Sequence, residues 1–201
     1  MENLIQTYIQ SQITEARRIM DALAADTTLQ ATLASAAEAC ITCLRNEGKI
    51  LLAGNGGSAA DAQHVAGELV SRFAFDRPGL AAVALTTDTS ILTAIGNDYG
   101  YEKLFERQVQ ANGNKGDVLI AYSTSGKSPN ILRALEEARR RGLTTIGLTG
   151  NRGGPMHELC DYILAVPSAD TPKIQEGHLV LGHILCGLIE NALFKPDGTP
   201  A

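Results

Sequence analysis

The run Gly54-Asn55-Gly56-Gly57-Ser58, followed by His64 and Glu68, sets an anion cradle and a chemically versatile pair on one short segment. Glycines between an apolar strand and a helix leave backbone N–H groups bare at the helix mouth, where phosphate groups bind. His64 and Glu68 are four residues apart and share one face of that helix. An imidazole beside a carboxylate serves acid–base chemistry and is equally a sound ligand pair for zinc. The combination implies an enzyme that handles a phosphorylated small molecule. Gly67 lies between the pair and costs roughly 1 kcal/mol relative to Ala inside a helix, so close packing or a close ligand is expected to offset it.

Two other readings of the first loop have to be weighed. Gly54-x-Gly56-x-x-Ala59 satisfies a loose dinucleotide fingerprint, but that motif needs an acidic residue about 20 positions further on. The candidate, Asp88, stands 34 positions from Gly54. The loop could also be a plain tight turn. Phosphate or sugar binding accounts best for its glycines together with the pair on the helix.

A second loop, Ser123-Thr124-Ser125-Gly126-Lys127-Ser128, follows another apolar run. Its end copies a Walker A motif, but Ala121 stands where the upstream glycine belongs. Four hydroxyls ahead of a helix starting near Pro129 make a neutral, donor-rich phosphate site. Capping that helix needs only one of them. Asn97-Asp98 falls between Gly96 and Gly100 and is expected in a short loop, where it either meets a ligand or makes an ordinary turn. The last helical pattern carries Gln175, Glu176, His178 and His183; Glu176 and His178 fall near its apolar face and either could be structural. His157 has no evident partner and is placed on the surface.

These residues need a scaffold. Five apolar runs, Lys49–Ala53, Leu80–Leu85, Asp117–Tyr122, Thr144–Leu148 and Tyr162–Val166, lack polar alternation, as parallel strands buried on both faces do. Helical patterns at Ser58–Arg72, Thr89–Gly96 and Pro129–Arg141 separate them. Alternation of this kind predicts an α/β three-layer sandwich around a five-stranded parallel sheet. Leu4–Ala24 and Leu29–Glu47 add two helices before the first strand, and Ile174–Phe194 adds one after the last. Terminal helices on this scale are expected to pack between subunits. Residues 1–195 read as a single domain, with a disordered tail at 196–201.

Composition narrows the partners. The chain has 201 residues, 44% hydrophobic and 19% charged, with a net charge of -5, no Trp and 4% aromatics. It lacks the basic patches and stacking platforms that nucleic acids or anionic membranes require. The N-terminus is polar and acidic, and the apolar stretch Leu179–Ile189 is too short to span a bilayer, so a cytoplasmic location is expected. Cys40 and Cys43 form C-x-x-C inside an alanine-rich helical pattern. With Cys160 and Cys186 they read as core packing, not as a zinc ribbon or disulfide framework.

Taken together, Gly54–Ser58, Ala62-Gln63-His64, Glu68, Gly96-Asn97-Asp98, Ser123–Gly126 and Ile174-Gln175-Glu176 resemble the phosphoheptose isomerases of the sugar isomerase (SIS) superfamily. The motifs occur in order over almost the whole chain, which is far more specific than any one alone. The resemblance implies a flavodoxin-like (SIS) topology and a homotetramer with active sites at subunit interfaces. It implies interconversion of sedoheptulose 7-phosphate and D-glycero-D-manno-heptose 7-phosphate, the first step of bacterial heptose synthesis for lipopolysaccharide core or capsule. Carried over residue by residue, it implies one zinc per subunit on His64, Glu68, Gln175 and His183. Substrate contacts would be Asn55, Gly56, Gly57, Glu68, Asn97, Asp98, Ser123, Thr124, Ser125, Ser128 and Gln175. Glu68 is the expected catalytic base and His183 its proton-donating or basic partner. Metal ligation by Glu68 would weaken it as a base.

A related SIS group binds a replication initiator without known isomerase chemistry, and other members sense sugar phosphates. The initiator-binding proteins tend to lack the acid at Glu68 and the imidazole at His183, both present here. An isomerase for a pentose or hexulose phosphate is a further rival, because pocket depth is not written in these motifs. One geometric problem also stands out. Gln175 and His183 are eight residues apart, about 12 Å along a continuous helix. Either the helix starts after Gln175, or a neighbouring subunit's last helix completes the site.

Overall fold

The five apolar runs pair into one parallel sheet in a computed structural model that describes residues 2–201. The strands are β1 (Ile50–Ala53), β2 (Ala82–Ala84), β3 (Val118–Tyr122), β4 (Thr144–Gly150) and β5 (Tyr162–Val166), in the order β2-β1-β3-β4-β5. β1 lies between β2 and β3, with Leu52 opposite Ala84 on one side and Ile120 on the other. β1 and β3 are buried along their full length, which explains their unbroken apolar sequence. The edge strand β2 is short and partly exposed. The parallel sheet and its helical layers are those the sequence pattern predicts, and the strand order is the flavodoxin-like one that the resemblance implies.

Strand residues divide alternately between two cores. Ile50, Leu52, Val118, Ile120 and Tyr122 face one layer, built from α1 (Glu2–Ala25), α2 (Thr27–Arg45), α3 (Gly57–Val70) and α8 (Thr171–Leu193). Leu51, Ala53, Leu119 and Ala121 face the other, where α5 (Leu104–Asn112) and α6 (Pro129–Arg141) supply most of the packing. The short α7 (Met156–Leu159) closes that layer through Met156. Cys40, Cys43 and Cys186 are buried free thiols in the first core, as their setting predicted. Asp26 caps α2 by accepting a hydrogen bond from the Leu29 N–H.

Two expectations need correction, those for Asn97-Asp98 and for the tail. Asn97 and Asp98 are not in a loop: α4 runs Thr89–Tyr99, capped by Asp88 and stopped by Gly100 at φ 90°. Gly96 is not among the glycines with positive φ, so it keeps the helical backbone and α4 runs through it. The tail is not free either: Phe194 bridges Pro200, and the Lys195 N–H donates to the Thr199 carbonyl. Gly67 meets nothing within 4 Å of where a Cβ would sit, so packing inside this chain does not offset its cost. The turn at Tyr101–Lys103 and helix α5 fill a stretch for which the sequence reading had no element.

Candidate active site

Chain order reverses between β1 and β3, and both candidate loops leave the carboxyl ends of these two strands. That crevice is where open α/β sheets bind ligands. Gly56 takes φ 56° at the cap of α3, a left-handed conformation natural to glycine. Neither α3 nor α6 has an acidic residue in its first turn, so both helix mouths remain favourable to an anion. Ser128 precedes α6 but makes no capping bond; its hydroxyl lies 3.0 Å from that of Ser123. The hydroxyl cluster is therefore not spent on capping. Ser125 accepts a hydrogen bond from the Lys127 N–H, and Gly126 turns the loop at φ 65°.

The two loops are tied together through Asn55. Its amide exchanges hydrogen bonds with Asn130 at 2.9 and 2.8 Å, and the Tyr101 hydroxyl donates to Asn55 Oδ1 at 3.0 Å. Asn55, Tyr101, Glu102, Ser128, Pro129 and Asn130 line a cavity of about 350 Å³. A larger cavity, about 460 Å³, opens at the amino ends of the strands among Glu38, Asn46, Lys115 and Tyr162. It lies at the opposite end of the sheet from both loops.

The second half of the site comes from α3 and α8, which run parallel. Gly57 meets Gln175, Val65 meets Gly182, and the Phe73 N–H meets Glu190. That register brings His183 to His64, Nε2 to Nε2 at 2.8 Å, with Glu68 Oε1 3.4 Å from His64 Nε2. Donor atoms of all three lie within 4.8 Å of one another. Ligand atoms around a tetrahedral zinc with bonds of about 2.0–2.2 Å stand roughly 3.3 Å apart, so these separations suit a metal held between the three. The Phe73 ring packs against His183, centroids 5.6 Å apart.

Gln175 is placed apart from this trio. α8 begins at Thr171, so the option of a helix starting after Gln175 fails. The Gln175 amide instead sits over Gly57, where a Cβ would come 2.5 Å from its Nε2. Because His64, Glu68 and His183 already converge within one chain, a neighbour's last helix is not needed to bring them together. Asn97 and Asp98 are exposed on α4 and bond to each other, Asn97 Nδ2 donating to Asp98 Oδ1 at 2.7 Å. Thr124 flanks the serine loop, where its carbonyl accepts from the Gly150 N–H.

Among the remaining candidates, His178 is buried and structural. Burial pushes its imidazole down to about 4, against the opposing pull of the Thr149 carbonyl 3.2 Å from Nε2. Glu176 is exposed and pairs with Lys173, and His157 is on the surface. Three residues went unnoticed in the sequence. Tyr101 and Asn130 hold Asn55. Asp61, one turn before His64, has its pKa raised by burial, against an opposing pull from His64, and its Oδ2 finds no partner among the described residues. Only Asp61 left a sequence signal, its i, i+3 spacing to His64.

The doubly wound sheet with a serine-rich loop and glycine cradle at its switch point defines a SIS domain, and the family model for the SIS domain matches residues 13–150. The phosphoheptose isomerase of Burkholderia pseudomallei (strain 1710b) is 73% identical over 96% of this chain and 98% of its own length. The solved phosphoheptose isomerase of Neisseria gonorrhoeae superposes with a TM-score of 0.87 at 44% identity, covering 93% of this chain and 99% of that one. That of Francisella tularensis gives 0.89 at 40% identity, over 92% and 98%. The chain belongs to the phosphoheptose isomerase family.

Proposed function

We propose that this protein interconverts sedoheptulose 7-phosphate and D-glycero-D-manno-heptose 7-phosphate, an aldose–ketose isomerisation through an enediol. The observation that carries this reading is the convergence of Glu68 and His183 on one spot beside a phosphate cradle, in a chain 73% identical to a phosphoheptose isomerase. The non-catalytic binding module is not favoured, since a cradle alone would not call for that pair.

The reaction removes a weakly acidic proton from C1 and delivers one to C2, so a base must sit within about 3 Å of the substrate carbon. Glu68 is assigned as that base, and His183 exchanges the proton of the neighbouring oxygen. Serine hydroxyls at 123, 125 and 128 with Thr124 and the α6 mouth take the phosphate. Asn55, Gly56, Gly57 and Gln175 hold the hydroxylated chain, and Asn97 and Asp98 are retained as contacts from α4.

His64, Glu68 and His183 form a donor set that fits zinc, with Gln175 as a fourth ligand if its side chain swings from Gly57; ligation would weaken Glu68 as a base, so proton abstraction calls for a carboxylate oxygen free of the ion. When bound, the metal would supply Lewis acidity toward the substrate carbonyl. Homotetrameric assembly is proposed from the apolar residues that α1 and α8 expose, including Leu4, Ile5, Tyr8, Ile184 and Leu188. Among the described residues no helix is long and apolar enough to cross a membrane; a cytoplasmic enzyme feeding lipopolysaccharide or capsule synthesis is the proposed setting.

The test is to offer sedoheptulose 7-phosphate, unphosphorylated sedoheptulose, and pentulose and hexulose phosphates to metal-replete protein. Selective formation of the seven-carbon aldose phosphate is expected; equal turnover of shorter sugars would reassign the substrate. Ser123→Ala should weaken binding of the phosphorylated sugar about tenfold or more, the effect of losing one charge-assisted hydrogen bond of ~1.5–3 kcal/mol. Isothermal titration reads this directly, and unchanged affinity would move the phosphate to the Gly54–Ser58 loop.

A further inference from the structure

We propose that the buried pair Arg77–Glu190 is a positioning device that sets the register of α3 against α8 and so holds His64 and Glu68 opposite His183. The proposal rests on the reading of that trio as the reacting and metal-holding centre. Both side chains are 0% exposed, with Arg77 Nε 3.0 Å from Glu190 Oε1. Arg77 closes the end of α3: Nη2 donates to the Glu68 carbonyl at 2.9 Å, and Nη1 to the Leu69 carbonyl at 2.6 Å. Nη1 also reaches the Ser71 and Pro78 carbonyls. α3 has no basic residue in its last turn, so this guanidinium supplies the positive charge that the negative end of the helix dipole favours. The residue whose carboxylate belongs to the trio thus has its own carbonyl fixed by Arg77.

Glu190 ties that end to α8. It stands seven residues after His183, two turns along the helix and within about 20° of the same stripe. Its carboxylate accepts from the Phe73 N–H at 2.9 Å and the Ala74 N–H at 2.7 Å, besides Arg77. Burial pushes the Glu190 carboxyl upward, but these donors outweigh it and hold it below the usual carboxylate range. Phe73, held in this way by its backbone, lays its ring against the His183 imidazole. One ion pair therefore reaches Glu68 through a carbonyl and His183 through an aromatic contact.

Stability alone does not account for it. Two charges taken out of water are costly, and apolar replacements of buried pairs are often neutral or stabilising. What an apolar pair cannot reproduce is the directional fork on four carbonyls and two N–H groups. Arg77→Met with Glu190→Met removes both charges together, leaving neither buried alone, and Glu190→Gln is the variant that keeps the shape and one acceptor oxygen while removing the counter-charge.

Three readouts decide it: the thermal midpoint, the affinity of metal-free protein for zinc in competition with a chromophoric chelator, and kcat against KM. The double variant is expected to fold, to bind zinc about 10- to 100-fold more weakly, as loss of groups behind metal ligands does, and to lose kcat with KM unchanged. A folded variant with wild-type zinc affinity and wild-type kcat overturns the proposal. If the wild type itself does not hold zinc, the metal reading fails, and the kcat–KM split alone decides positioning: a fall in kcat at constant KM supports it, constant kcat overturns it. If the double variant does not fold, Glu190→Gln is judged by the same readouts. If that also does not fold, the pair serves stability and the proposal falls.

Discussion

Glu68→Gln is expected to lower turnover about 100- to 10,000-fold, the usual loss when a positioned general base is removed. Glutamine nearly keeps the shape but cannot take a proton. The fold should not notice, because the contact that anchors this residue runs from Arg77 to the Glu68 backbone carbonyl, which the substitution leaves in place. The side chain itself is 26% exposed and makes no buried ion pair. Initial rates paired with a thermal melt check both halves. Turnover within a few-fold of wild type would remove Glu68 from the mechanism.

His183→Ala is expected to cost a similar factor, about 100-fold or more, since it removes the proposed proton-transfer partner and one of the three side chains that converge on one spot. The geometry adds a sharper expectation for mixtures. His183 lies 2.8 Å from His64, one turn from Glu68 on α3, within the same chain. Each inactive chain therefore spoils its own site. Mixed oligomers of Glu68→Gln and His183→Ala protein, formed by verified subunit exchange, should show no more activity than the unmixed parents. Recovery of a sizeable part of wild-type activity would mean that the two residues act from different chains.

The scaffold was legible because its central strands β1, β3 and β4 are buried on both faces and read as nearly unbroken apolar runs bounded by turn residues. Local pairs were legible for a similar reason: His64 and Glu68 share a helix face whatever the tertiary fold does. The place of His183 was not, since it depends on α3 and α8 packing in parallel across more than a hundred residues of chain. The same holds for Tyr101 and Asn130 beside Asn55, and for Arg77, which no motif in the sequence singles out. Helix α5 escaped notice because its nine residues carry a short stripe with a buried Gln108 in it, whose amide donates to the Leu85 and Leu104 carbonyls. Asn97-Asp98 was misread as a loop because Gly96 looks like a helix stop. The positive φ that ends α4 belongs to Gly100, not to Gly96.

The central claim is that a proton, carried by Glu68, moves between C1 and C2. Its most direct test is turnover of sedoheptulose 7-phosphate in D2O by metal-replete protein, followed by NMR of the aldose product. Glu68 is partly open to solvent, so a proton it has taken up exchanges before delivery. The aldose phosphate should therefore carry deuterium at C2. Aldose formed at full rate with only hydrogen at C2 would contradict this account of a solvent-open base, because the hydrogen would then have passed between the two carbons by a route closed to water, either a direct shift or a sealed base.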